Sequence, residues 1–197
     1  MRVFWLMALL LSACGGVEKT PYHNDQIGLA LDYPAYWQLI DAEQVAAGIA
    51  ASAAQMEASA ETLAQAQAIT SGLQLSVVRP ENQSGSPGGA SLNIIAIVLP
   101  EAEWAGVNLE AIVAAQTQGV GELADTVTRP LEKGRLPAGM KGYLAVLPTR
   151  QGHLYQYQLS YWRAPHYVQL VLSSLTENDV ELADIVKSLR LTPKKGR

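Results

Sequence analysis

Residues 27–33 (IGLALDY) alternate strictly, with Ile27, Leu29, Leu31 and Tyr33 on one side and Gly28, Ala30 and Asp32 on the other. A period of two predicts a half-buried strand, and Pro34 ends it. Tyr36 to Ile40 resumes as a short extended piece. Leu73 to Arg79 and Ser91 to Leu99 read as two further strands, joined by the turn-rich PENQSGSPGGA and ended by Pro100. Thr126 to Leu136 is a strand interrupted by Pro130, and Met140 to Pro148 is another, with Tyr143, Ala145 and Leu147 on one side. His153 to Trp162 places Tyr155, Tyr157, Leu159 and Tyr161 on one face and Gln156, Gln158 and Ser160 on the other. A turn over Arg163 to His166 returns the chain along Tyr167 to Ser174.

Helical periods separate these strands. From Asp41 to Ser71 the chain is rich in Ala, Gln and Glu, strong helix formers, with Asp41 as a cap and Gly72 following the end. Val45, Ile49, Met56 and Leu63 form its thin apolar stripe. Such a stripe normally packs on its own domain; a lid or a partner surface is the alternative. Asn108 caps a helix running to about Gln118 with Leu109, Ile112 and Val113 inward. Asn178 caps a last helix with Leu182, Ile185, Val186 and Leu189 inward. Strands in an antiparallel meander with interspersed helices predict an α+β domain, one mostly antiparallel sheet with helices on its faces.

The first residues read as an address. Arg2 precedes a nine-residue apolar run, Val3 to Leu11, and then Ser12, Ala13 and Cys14. A helix of that length rises only about 14 Å, against a hydrocarbon core of roughly 30 Å. The layout is that of a secretory signal. Leu11-Ser12-Ala13-Cys14 matches the bacterial lipobox, in which the cysteine thiol receives a diacylglyceryl group. The expected organisation is therefore a signal over residues 1–13 and lipidated Cys14 opening a polar tether to residue 26. The folded domain follows over 27–191, with the Ala-rich helical insertion at 41–71, and a basic tail over 192–197. The anchor predicts an extracytoplasmic location on a membrane of the cell envelope; Gly15 leaves the periplasmic face of an outer membrane open.

Composition narrows the function classes. The 197 residues are 49% hydrophobic and 16% charged, which excludes a disordered polymer. A net charge of −4 excludes nucleic-acid binding through bulk positive charge. A single cysteine excludes a disulfide framework and a cysteine zinc site. His153 and His166 lie at opposite ends of one strand and cannot act as a pair, and no G-x-S-x-G, H-E-x-x-H or C-x-x-C occurs. Neither a catalytic residue, a metal site nor a cofactor is expected. Carboxylates gather at helix starts (Asp41 and Glu43; Glu101 and Glu103; Glu177, Asp179 and Glu181), where capping and the helix dipole account for them. The remaining lead is aromatic. Tyr155, Tyr157 and Tyr161 share a strand face and Tyr167 follows on the next strand, so their rings could line a groove for an apolar or sugar-like ligand. The alternative is a face covered by a helix.

Three stretches together resemble the PsbP-like superfamily of α/β/α sandwiches, which includes DcrB-like and LpqN-like lipoproteins. They are IGLALDYPAYW (27–37), SLNIIAIVLP with VNLEAIVAAQ (91–116), and HLYQYQLSYWRAPHYVQLVLSSL with LADIVKSLRL (153–191). The resemblance implies a mostly antiparallel sheet with helices on both faces and non-enzymatic work in binding or complex assembly. It supplies no functional residue. The expected function is a membrane-anchored binding or assembly module with a protein partner in the envelope. A small-ligand carrier using the tyrosine face is the first alternative, and a hydrolase built on two carboxylates the second.

Overall fold

A computed structural model describes residues 17–47, 70–80, 89–123, 125–131, 134–149 and 152–193. The expected signal, Cys14 and the tail from Lys194 lie outside them, as does most of the Ala-rich insertion. Ten strands form two antiparallel sheets. The large sheet has seven strands in the order β3 (Gln38–Leu39), β4 (Leu73–Val78), β5 (Ser91–Val98), β9 (His166–Ser174), β8 (Gly152–Arg163), β7 (Met140–Thr149) and β6 (Val127–Pro130). The small sheet sets β2 (Leu29–Pro34) between β1 (Lys19–Asn24) and β10 (Arg190–Leu191). Helices α1 (Leu109–Gly121) and α2 (Val180–Ser188), a helical segment over 42–47 and a 3-10 turn over Glu101–Gly106 accompany the strands among the described residues. The expected α+β class, with helices on both faces of a mostly antiparallel sheet, is the architecture the chain adopts.

Register explains which face became the core. Residues opposite one another in an antiparallel pair share a face. The pairings align Val77, Leu92, Leu172 and Tyr157 in one row, Leu75, Ile94, Leu170 and Leu159 in the next, and Ala96, Val168 and Tyr161 in a third. These rows meet Leu29 and Leu31 of β2 and Leu182 and Ile185 of α2 in a single buried cluster. The alternation read in 27–33 is thus the small sheet closing over the aliphatic face. At one end Tyr161, 2% exposed, donates its hydroxyl to the Ile27 carbonyl at 3.0 Å. At the other end Ser188 Oγ accepts from the Asp32 amide at 2.9 Å, fastening α2 to β2. Gly142 takes the place opposite Leu159 on β7. A Cβ there would lie 2.5 Å from the Gln158 carbonyl oxygen, so only glycine lets the two strands close.

The opposite face is polar, and its side chains bond to one another. Gln158 accepts from the Tyr143 hydroxyl at 2.9 Å and from Gln169 Nε2 at 3.1 Å, and donates to Gln156 at 2.7 Å. Gln156 donates to Ser173 Oγ at 3.2 Å, and Ser76 donates to Asn93 at 2.7 Å. Buried polar groups are tolerated where they are partnered. The row therefore permits α1 to cover part of this face without an aliphatic surface beneath it.

Two expectations are corrected. Residues 19–24, read as part of the tether, form β1 and pair with all of β2. Its alternating exposure shows an edge strand joined by backbone hydrogen bonds, which need no apolar side chains. The last helix is capped by Asp179, not Asn178: Asp179 Oδ1 accepts from the Glu181 amide at 3.1 Å and the Leu182 amide at 3.2 Å. Asn178 instead takes φ +58°, the left-handed turn that asparagine tolerates. Of the Ala-rich segment, 42–47 is helical, and Asp41 caps it reciprocally with Gln44. Ile49, Met56 and Leu63 lie outside the described residues.

Burial has its largest electrostatic consequence at the start of α2. Arg79, at the end of β4 and 4% exposed, places Nη1 2.9 Å from Asp179 Oδ2 and 3.1 Å from Glu181 Oε2. Ser174 Oγ donates to Asp179 at 2.8 Å, and Tyr36 and Trp37 donate to Glu181. This cluster ties β4, β9, the turn after β2 and α2 together. Removing one member of a buried ion pair leaves its partner uncompensated, at a cost of about 3–5 kcal/mol. Arg79→Met is expected to lower unfolding free energy by about that amount in urea titrations; a loss under about 1 kcal/mol would mean that the cluster is not holding α2.

The tyrosines give a second expectation. Burial, and secondarily the neighbouring Tyr167, pushes the Tyr143 hydroxyl up to about 12, and burial raises Tyr161 further. Both fold best protonated. Their contribution is complete below pH 10, where unfolded tyrosine begins to ionise, and is lost as pH climbs from 10 through the folded values. Stability measured in urea should fall between pH 10 and pH 12, less steeply in Tyr143→Phe; an identical slope in that variant would contradict the assignment.

Candidate functional site

A concavity at the β6–β7 edge arises from a mismatch in strand length. β7 has ten residues and β6 only four, which pair with Tyr143 to Val146. Beyond that pairing a single bond, from the Leu131 amide to the Gly142 carbonyl at 3.2 Å, continues the ladder. Residues Met140 to Gly142 are then flanked by Leu131 and by residues 134–139, where Gly134, Pro137 and Gly139 do not extend the sheet. α1 crosses above. Asn108 caps it, accepting from the Ala111 amide at 3.1 Å, but no residue of α1 is fully buried. Its sheet-facing side is small or polar at Ala114, Thr117 and Gly121 and cannot fill the space below.

The result is a cavity of about 800 Å³ between α1, β7 and residues 134–139, walled by Val113, Ala114, Leu131, Leu136, Pro137 and Met140. That size lies within the range of small-molecule sites. Its charged members, Lys141 and Glu110, meet at 2.8 Å and are both exposed, so they neutralise each other at the rim. A second cavity of about 420 Å³ lies on the aliphatic side of the sheet, between Tyr157, Leu131, Leu136 and the Ala183, Val186 and Lys187 face of α2. Leu131, Gly134 and Leu136 border both spaces.

The structure distributes the four tyrosines singled out from sequence. Tyr155 and Tyr157 stand half-buried on the aliphatic face. Tyr157 lines the smaller cavity. Tyr155 lies near the β7–β8 turn with its ring centroid 6.3 Å from that of His153. Tyr161 shares their face but is sealed beneath β2. Tyr167 is on the other face. The short turn at Ala164 and Pro165 pairs Arg163 with His166, which sets Tyr167 opposite Trp162 rather than beside Tyr161. Its hydroxyl donates to Ser160 Oγ at 2.9 Å and accepts from Gln116 Nε2 at 3.1 Å, fastening α1 to the sheet. A single groove lined by all four rings does not form.

Sequence reading missed Arg79 and the stretch at 134–139. An arginine closing an apolar strand (SVVRP) was a signal for the first, and glycine and proline crowding after Pro130 for the second. Asp179 and Glu181, the carboxylates that converge most closely on one cation, are committed to Arg79 and line neither cavity. Among the described residues no group of three or more His, Cys, Asp or Glu is placed to hold a metal ion. No described helix is long and apolar enough to cross a membrane.

No family model and no curated protein matches the chain. Among solved structures it is similar to the solution structure of cyanobacterial PsbP from Synechocystis sp. PCC 6803, at 15% identity and a TM-score of 0.49, covering 92% of this chain and 98% of that one. It is also similar to a crystal structure of a protein from Bacteroides thetaiotaomicron VPI-5482, at 6% identity and a TM-score of 0.48, covering 92% of this chain and 51% of that one. Neither likeness assigns a residue or an activity to this chain.

Proposed function

We propose that this protein is a lipid-anchored, extracytoplasmic, non-catalytic binding module that takes an apolar ligand, or an apolar side chain of an envelope protein, into the cavity between α1 and β7. The observation that carries the reading is the chemistry of that cavity. Its walls are mostly aliphatic, glycine and proline, with Thr117, Gln118 and Thr128 as uncharged polar members, and its one charged pair is self-compensated at the rim. Such a surface gains free energy by shedding water from apolar groups and offers a reacting bond little polarising power. The Cys14 lipobox supplies the location, since two acyl chains suffice for stable attachment. A small-ligand carrier is the second reading, favoured by the 420 Å³ cavity at Tyr157, where an aromatic face and a hydroxyl meet Leu131, Leu136 and Val186, with Arg135 and Lys187 also in the wall.

Two measurements test these statements. Labelled palmitate should appear on the chain, and both label and membrane association should be lost in Cys14→Ala; label persisting in that variant would contradict the anchor. For the cavity, the full chain in lipid nanodiscs should show a saturable hexanol-induced shift of the Met140 methyl resonance. Ala114→Trp, which fills the space from α1, should weaken this at least about tenfold, the equivalent of about 1.4 kcal/mol. Equal binding by that variant would place the ligand elsewhere.

A further inference from the structure

In a chain with a net charge of −4, the recess at the end of the β8–β9 hairpin carries an arginine. It has a volume of about 240 Å³ and is lined by Gly28, Gly139, Tyr161, Trp162, Arg163 and Thr192 among others, with no carboxylate in its wall. Arg163 Nη1 donates to the Thr192 carbonyl at 2.6 Å, and among the described residues no Asp or Glu forms an ion pair with it. A guanidinium carries five N–H donors, so donors remain after that bond. The group is also positioned. It lies across Gly28, which takes φ +67°, and a Cβ at that residue would sit 1.3 Å from Nη1. Glycine suits this backbone, and the guanidinium occupies the space that a side chain at residue 28 would take.

The field of this charge is felt nearby. His166, paired with Arg163 across the β8–β9 turn, is held below the usual histidine range by burial and then by the Arg163 charge. Finally, Ala138 and Gly139 border both this recess and the 800 Å³ cavity.

We infer that the Arg163 recess receives the oxyanion head of an amphiphile whose apolar part lies in the adjoining cavity. The planar fork of arginine matches carboxylate and phosphate oxygens in pairs, which a chloride ion cannot reproduce. The inference rests on the reading of the cavity as a ligand site, and it adds the class of ligand: an acid with an aliphatic body.

The test uses the full chain in nanodiscs with two reporters, the Met140 methyl for the cavity and fluorinated Trp162 for the recess. The probes are hexanol, hexanoate and hexyl phosphate, with empty nanodiscs as the blank and sodium chloride at equal ionic strength as the control. Hexanoate or hexyl phosphate should bind at least about tenfold more tightly than hexanol and should shift both reporters. The tighter of the two acids identifies the head. Arg163→Gln should abolish the gain while hexanol still binds, and Arg163→Lys, which keeps the charge but not the fork, should retain part of it. Hexanol binding with no gain for either acid overturns the inference and leaves the cavity reading standing. A gain that survives in Arg163→Gln, or one matched by chloride, overturns it too. Failure of all three probes to move Met140 removes both. Should Arg163→Gln unfold, the Arg163→Lys series and the chloride control in the native chain decide between these outcomes.

Discussion

A sheet can be sealed only where strands run beside one another, and β6 stops after four residues while β7 runs for ten. The rest of this molecule is arranged around that shortfall. Over most of its area the aliphatic face is closed by β2 and α2, and the Arg79 cluster and Ser188 hold those covers down. Where the leucines and the buried Tyr161 hydroxyl make this closure, they leave no room for a ligand. The 800 Å³ cavity opens at the edge, where β7 continues without a full strand partner and residues rich in glycine and proline stand in its place. α1 spans the gap with residues too small to fill it.

The two faces of the large sheet differ in what they ask of a cover. Aliphatic rows need an apolar surface pressed against them, and they obtain one from Leu29, Leu31, Leu182 and Ile185. The glutamine, serine and tyrosine row is satisfied within itself. A helix over it adds few apolar contacts, and α1 is fastened instead by Gln116 to Tyr167 and by Glu110 to Lys141. Exposed ion pairs contribute about 0–1 kcal/mol, so this cover is held much less firmly than α2. A cavity beneath a weakly fastened helix can adjust to what enters it, while the sheet behind it remains fixed.

Much of this was legible in the chain. Strict alternation in 27–33 and in 153–162 gave the strands and the correct core faces, because a period of two decides which side is buried. The periods of α2 gave Leu182 and Ile185 as its inward residues, and Asp41 was recognisable as a cap. What escaped depends on pairing rather than on local pattern. β1 carries polar side chains because an edge strand is held by its backbone. Tyr167 changed faces because the turn sets a register that counting along the chain does not give. Asp179 found Arg79 a hundred residues away in sequence, and no local signal could join them. The cavity itself is the least legible feature: it follows from two strand lengths and a helix of small residues, none unusual alone.

The central claim is that this edge holds a largely apolar space ready for a ligand. Crystals of the protein held under xenon test it most directly, since xenon enters apolar cavities that water leaves empty. The account predicts ordered xenon between α1 and β7, in contact with Val113, Leu131, Leu136 and Met140. A loop collapsed onto β7, or a chain of ordered water in that space with no xenon, would contradict it.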